Sequence, residues 1–439
     1  MKYSQFNSIL PYNGSLALYN SFQQKVLFLE NELNDLLQAA RAEGIDILGN
    51  YHPDFYNYLK DNRFIIEDDI NEVEEVKKKS KSVDETQEDF VLTINPTMNC
   101  NFKCWYCYET HIKDSRLEVT VMDSINMLVN KVCSKPELKT FTLAFFGGEP
   151  LLYFKKNVIP IVDHVVEVCE KYNKEFAISF TTNGYLTDDY FIEYFRNKNL
   201  NIHLQITFDG YKEEHDEVRF VSKTKGSYDE IIKNIRKLLS YDNFTIKARI
   251  NYTDKNIHNC HKIVDDFADL IEKIDKNKLV FDYHRVWQND QLDNTSKFLD
   301  ENSKKMQEKG FMTHVHYSPN NVIDSCYADK RNSVVVNYNG DIYKCTARDF
   351  LPKDRAGYLA QDGELIWNDG YIETRMNSKF NNRPCLSCRI MPLCNGGCSQ
   401  HAMENLGGDG YCVYHGDEQQ KSNVVLAKID EIVNAPQEV

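Results

Sequence analysis

The sequence predicts an α/β chain built on a partial (β/α)6 barrel of the TIM type. A small winged-helix-like α+β domain precedes the barrel and a cysteine-rich domain follows it. Three observations predict this. Six short apolar runs alternate with amphipathic stretches between residues 90 and 285, a charged run interrupts the chain at 77–89, and seven of the thirteen cysteines crowd between Cys326 and Cys412. The expected organisation is therefore 1–76, a linker at 77–89, a barrel at 90–285, a connecting helical segment at 286–325, and 326–439 ending in a helix.

The first domain is read from a strand pair, Leu16 to Tyr19 and Val26 to Leu29, then a helix through NELNDLLQAARAEG that Gly44 stops. A second helix starts at Pro53, a residue suited to a first helical turn, and leads into the strand FIIE. The run KKKSKSVDETQED lacks large apolar residues and reads as a linker.

Barrel strands are expected at 91–95, 140–146, 176–182, 202–208, 244–250 and 278–284. Between them lie helical patterns such as SINMLVNKV, NVIPIVDHVVEVCEKY, YDEIIKNIRKLL and CHKIVDDFADLIEKI. Strands alternating with helices indicate a parallel sheet, and in barrels of this kind the chemistry sits where the strands end. A further helix is expected around NTSKFLDENSKKMQEK.

Composition bounds the function. Sixty-six acidic against 52 basic side chains give a formal charge of -14, which argues against a nucleic-acid partner. The start, MKYSQFNSILPYNG, carries no basic region followed by an apolar stretch, and no run approaches the ~18 apolar residues of a membrane span. A cytoplasmic chain without a membrane partner is expected, whose reduced thiols serve metal binding or catalysis.

Cys100, Cys104 and Cys107, in CNFKCWYC, stand five residues and more beyond the first strand, on the expected active rim. Three thiolates leave a four-cornered metal site one ligand short. Soft thiolates also select zinc and copper, although a zinc site would repeat a Cys-x2-Cys pair and close with four ligands. Strand two runs into GGEP (147–150), strand three into TTNG (181–184) and strand four into TFDG (207–210). Glycines there let backbone approach a ligand closely, and four such loops on one rim mark a site.

These residues resemble the radical S-adenosylmethionine enzymes over about residues 90 to 285. The resemblance implies that Cys100, Cys104 and Cys107 hold a [4Fe-4S] cluster whose free iron takes the amino and carboxylate groups of S-adenosylmethionine. It implies that Tyr106 lies near the adenine, and Gly147, Gly148 and Glu149 beside the methionine amino group. Thr182 and Asn183 fall at ribose contacts, and Thr207 and Arg219 where further contacts occur. An electron from an external flavodoxin- or ferredoxin-like donor would then yield a 5′-deoxyadenosyl radical, strong enough to abstract hydrogen from an unactivated carbon. No catalytic base is assigned.

Beyond residue 285 the cysteines follow C-x13-G-x4-C, then C-x2-C-x5-C-x3-C, then a last cysteine. Cys385 to Cys398 taken alone could be a zinc ribbon. The whole pattern resembles the SPASM extension of radical enzymes, which implies two auxiliary [4Fe-4S] clusters. Cys385, Cys388, Cys394 and Cys412 would hold the outer one, and Cys326, Cys345 and Cys398 the inner one, with a fourth inner ligand unassigned. Cys133, Cys169 and Cys260 lie on apolar stretches and read as packing.

Three functions follow. The first is a maturase of a ribosomally synthesised precursor peptide, its leader bound by the N-terminal domain at a sheet edge, installing a thioether or carbon-carbon crosslink or a related modification. The second is an anaerobic sulfatase maturase that makes formylglycine. That family places an aspartate directly after the cysteine matching Cys345, and this chain has Thr346. The third is a non-enzymatic zinc-binding interaction protein.

Overall fold

The computed structural model describes residues 1–288, 295–314, 321–405 and 410–434. They form two compact units, one of Met1–Thr86, Ser318–Arg331 and Gly370–Val439, the other of Gln87–Tyr317 and Asn332–Asp369. No helix among the described residues is long and apolar enough to cross a membrane.

The second unit carries the expected sheet. Its strands are β1 (Asp89–Asn95), β2 (Thr140–Phe145), β3 (Glu175–Thr182), β4 (Ile202–Phe208), β5 (Phe244–Tyr252), β6 (Leu279–Arg285), β7 (Met312–His314) and β8 (Ser333–Asn337). All eight are parallel, in the order β7-β6-β5-β4-β3-β2-β1-β8. The six expected strands are present within two residues at each end, and β7 and β8 extend the sheet on both sides. β7 is three residues long, too short to show a period. β8, SVVVN, lies among the cysteines of the segment expected to form a separate domain. Beyond it Asp341–Tyr343, Gly357–Leu359 and Leu365–Trp367 continue the same sheet antiparallel.

Side-chain alternation gives this sheet two different faces. Leu92, Leu143, Ile178, Leu204, Ala248 and Phe281 lie fully buried on one face, in a core shared with the helices Val119–Cys133, Ile159–Lys171, Asp189–Asn197 and Tyr228–Leu239. The other face carries Thr142, Ser179, Gln205, Thr207, Lys247, Arg249 and Asp282. A parallel sheet packed on both sides would be apolar on both, and this inner face is instead polar. CHKIVDDFADLIEKI, expected as an amphipathic helix, coils as 3₁₀ turns over Cys260–Leu270. Cys133, Cys169 and Cys260 are buried in the core.

In the first unit, Asn7–Tyr12, Ser15–Asn20 and Lys25–Leu29 form an antiparallel sheet, and Lys2–Tyr3 pairs with Ile65–Ile66. The strand Asn7–Tyr12 was not among the expected elements, and it contains Pro11, a residue that cannot donate to a ladder. Pro11 lies on an edge strand, two residues before Asn13 of the Asn13–Gly14 turn, whose two positive φ angles suit a tight hairpin.

The expected linker is corrected by a helix over Glu72–Asp84. Val76, Ser80 and Asp84, four residues apart, are buried as a narrow stripe, and Asn71 caps the first turn by accepting from Glu74 N at 3.3 Å. A stripe with so little hydrocarbon does not stand out from a run of lysines. The last helix among the described residues is Glu418–Val433, capped by Asp417.

Candidate functional site

The cysteine loop leaves β1 at Asn95 and is closed at its base by hydrogen bonds between segments 96–99 and 112–117. Thr97 Oγ1 donates to Ser115 O at 2.6 Å, Met98 N to Ser115 Oγ at 3.0 Å, and Leu117 N to Pro96 O at 2.8 Å. Phe102, buried against the edge of Tyr185, plugs the loop onto the sheet. Cys100 and Cys104 are half-buried and Cys107 is exposed at residue level.

Burial pushes the Cys100 thiol up to about 12 and that of Cys107 up to about 11, and raises Cys104. Three thiols held this way stay protonated until a cationic centre binds them, since a coordinated thiol is deprotonated outright. The donor set therefore fits an iron-sulfur cluster.

Gly147 and Gly148 are fixed by the cysteine loop itself. A Cβ on Gly147, at φ +85°, would lie 2.7 Å from Thr97 O, and one on Gly148 would overlap Asn99 O and stand 2.7 Å from Asn99 C. The glycines let two backbones touch, and Glu149 N donates to Asn99 O at 2.9 Å across that contact. Gly148→Ala is expected to cost about 3 kcal/mol, because backbone rather than a flexible side chain must give way. Thermal melting and iron content after reconstitution check this: both should fall.

Glu149 is fully buried and its carboxylate is heavily used. It accepts from Leu151 N at 3.0 Å, Asn183 N at 2.9 Å and Thr182 Oγ1 at 2.8 Å. Burial raises its pKa, and those hydrogen bonds oppose the rise. The structure thus places Glu149 and Thr182 as a pin between the ends of β2 and β3. Asn183 extends the pin to the cysteine loop, donating to Asn101 Oδ1 at 2.8 Å.

Tyr106 is the centre of a second network. Its hydroxyl donates to Asp209 Oδ1 at 2.5 Å and accepts from Arg219 Nη2 at 2.8 Å and Asn251 Nδ2 at 2.9 Å. Arg219 Nε also pairs with Asp209. Burial acts to lower the Arg219 pKa, and the facing Cys104, Tyr106 and Asp209 more than reverse it. Tyr106, between two of the thiols, is so clasped to the ends of β4 and β5. Thr207 stands two residues before Asp209 and is buried.

Asp209 and Asn251 were not among the expected site residues. Their signal was positional: Asp209 lies just past Thr207, and Asn251 falls near the end of β5, on the same rim. The charged segment DGYKEEHDEVR forms the helix Lys212–Val218 around a buried His215. His215 Nδ1 accepts from Asp209 N at 3.3 Å, which supports the clasp.

In the first unit Cys385, Cys388, Cys394 and Cys412 line one cavity with Ile390, Met391 and Tyr414. Burial raises Cys388 and pushes Cys385 to about 11 and Cys394 to about 12. Cys326 and Cys398 are exposed in the same unit, while Cys345 belongs to the other unit. Among the described residues no three His, Cys, Asp or Glu side chains converge to hold one metal ion. A polynuclear cluster, which seats each thiolate on a separate iron, does not need that convergence.

The Radical SAM superfamily matches residues 94–266. The cysteine-type anaerobic sulfatase-maturating enzyme of Clostridium novyi is 26% identical over 334 residues, 70% of this chain and 87% of that one. Two solved structures share the fold. One is native anSMEcpe with bound AdoMet and Cp18Cys peptide, with a TM-score of 0.53, 18% identity and coverage of 78% of this chain and 99% of that one. The other is Streptococcus suis SuiB bound to precursor peptide SuiA, with a TM-score of 0.51, 18% identity and coverage of 90% and 95%. Residues 94–266 are thus a Radical SAM domain, the type that binds S-adenosylmethionine and a [4Fe-4S] cluster, and the chain that carries it is an enzyme.

Proposed function

We propose that this enzyme modifies a ribosomally made precursor peptide, abstracting hydrogen from one of its residues to install a crosslink or a related change. The observation that carries the reading is the placement of three thiols on one loop above a polar inner sheet face, with that loop clasped through Tyr106. Cys100, Cys104 and Cys107 would hold the catalytic cluster. Tyr106, Gly147, Gly148, Glu149, Thr182, Asn183, Thr207 and Arg219 would surround S-adenosylmethionine, several of them by shaping its seat rather than by touching it. When bound, the pair supplies one-electron chemistry and a hydrogen-abstracting carbon radical.

The residues' own part is to hold a peptide carbon against that seat and to keep water from it. Cys385, Cys388, Cys394 and Cys412 would carry an outer auxiliary cluster, and Cys326, Cys345 and Cys398 an inner one. The three-stranded sheet of the first unit leaves its outer strand Lys25–Leu29 unpaired on one side among the described residues. Such an edge can take a leader peptide as an added strand. An external flavodoxin- or ferredoxin-like donor would supply the electron.

The extent of the Clostridium novyi match favours a second reading, formylglycine formation. Thr346 weighs against it: its carbonyl accepts from Tyr108 Oη at 2.9 Å, and nearby Asp349 is occupied by Thr110 N at 2.9 Å and Oγ1 at 2.6 Å. Co-expression with a candidate precursor peptide, followed by mass analysis, separates the two. A loss of two hydrogens with a linkage that survives fragmentation supports the crosslink. A hydrazide-reactive aldehyde at one cysteine or serine would replace that reading with the second, and an unmodified peptide of unchanged stereochemistry would remove both.

A further inference from the structure

On the inner face of the sheet the neighbouring strands β5 and β6 carry more positive than negative charge. Lys247 and Arg249 of β5 stand beside Asp282 and His284 of β6, with Arg249 in register with Asp282. Asp282 is the single carboxylate of this group and is already shared, 3.6 Å from Lys247 Nζ and 3.0 Å from His284 Nε2. Arg249 donates from Nε to Asn251 Oδ1 at 2.9 Å. Among the described residues its two terminal nitrogens meet no acceptor, and it makes no ion pair.

A half-buried guanidinium left this way is costly, because desolvation is not repaid by a partner. Burial accordingly lowers its pKa from the usual guanidinium value. Its fork of donors matches a carboxylate in two parallel hydrogen bonds. Its position matters as well. Arg249 is in register with Thr207 on β4 and one inner-face position before Asn251, whose amide holds the Tyr106 hydroxyl. An anion on Arg249 would lie within the lumen, just below the clasped cysteine loop.

We infer that Arg249 receives a carboxylate of the peptide substrate, either an Asp or Glu side chain or the C-terminus, and so fixes which residue is presented for hydrogen abstraction. The inference rests on the peptide reading above. Lys247 adds to the positive field, and Asp282 holds Lys247 and His284 in place.

The guanidinium can be probed in the reconstituted wild-type enzyme by phenylglyoxal labelling, located by mass spectrometry. Labelling at Arg249 should be slowed by glutarate, should be unaffected by glutaramide, and should not be slowed by S-adenosylmethionine alone. Protection by S-adenosylmethionine would assign the guanidinium to the methionine carboxylate and overturn the inference, as would absence of protection by glutarate. In turnover, Arg249→Gln should raise KM for the precursor tenfold or more with a smaller effect on kcat. Wild type and R249Q should converge on a precursor whose Asp, Glu and C-terminal carboxyls are all amides. Equal KM values for the unaltered precursor would sink the inference alone. A wild-type enzyme that modifies no peptide would sink the peptide reading and the inference together.

Discussion

Lys379→Met is expected to lower the stability of the first unit by about 3–5 kcal/mol, the range for breaking a buried ion pair from one side. Lys379 Nζ lies 2.8 Å from Asp84 Oδ2, 3.0 Å from Asp329 Oδ2 and 3.1 Å from Ser325 Oγ. All three charged side chains are at most 7% exposed, so one cation serves two buried carboxylates. Without it neither can be solvated. The triad joins the helix Glu72–Asp84 to the segment carrying Cys326, so its loss should also loosen that segment.

Charge rather than lost packing is the expected cause, and pH distinguishes them. Burial raises Asp84 and Lys379 opposes that rise. In K379M the folded-state pKa of Asp84 moves further above its unfolded value of about 3.9. The variant's deficit is then full above the folded pKa and shrinks as pH falls through it toward the unfolded one. Denaturation midpoints at pH 8 and pH 5.5 should show a smaller deficit at the lower pH. Lys379→Met with Asp84→Asn and Asp329→Asn should recover most of the loss, because a neutral cluster carries no unpaired charge. Equal deficits at both pH values would assign the effect to packing.

The sheet was legible because each of its six central strands pairs an apolar outer face with a core helix, and that alternation is written in the residues. What was not legible lacked such a signal. β8 is a run of valines inside a cysteine framework, and β7 is too short to show a period. The helix Glu72–Asp84 buries Ser80 and Asp84, residues that a hydropathy pattern reads as solvent-facing. At the site, Cys100, Cys104, Cys107 and the GGE loop announced themselves by spacing and position. The meaning of the glycines did not, since it depends on the Thr97 and Asn99 carbonyls that pack against them in space. Asp209 and Asn251 share this fate: each is ordinary in sequence and becomes specific only when two strand ends, one helix end and one loop place four polar groups within hydrogen-bonding reach.

That convergence leads to the second large effect. Asp209→Ala should cost about 3–5 kcal/mol in the second unit, because it leaves Arg219 buried without its carboxylate and Tyr106 without its acceptor. Tyr106→Phe removes one hydroxyl but spares the Asp209–Arg219 pair, so about 1 kcal/mol is expected. Asp209→Leu combined with Arg219→Met, which removes both charges, should be less destabilising than D209A alone. Thermal melting of the four proteins tests this order. If Y106F proved as costly as D209A, the hydroxyl and not the buried ion pair would hold the clasp. A functional readout accompanies it. Arg219 and Tyr106 face the thiols through Cys104, so a clasp that opens should weaken S-adenosylmethionine binding in D209A more than in Y106F. Calorimetric titration of the reconstituted proteins measures that difference. The buried pair then has two roles, supporting the ends of β4 and β5 and fixing the Tyr106 ring of the cysteine loop.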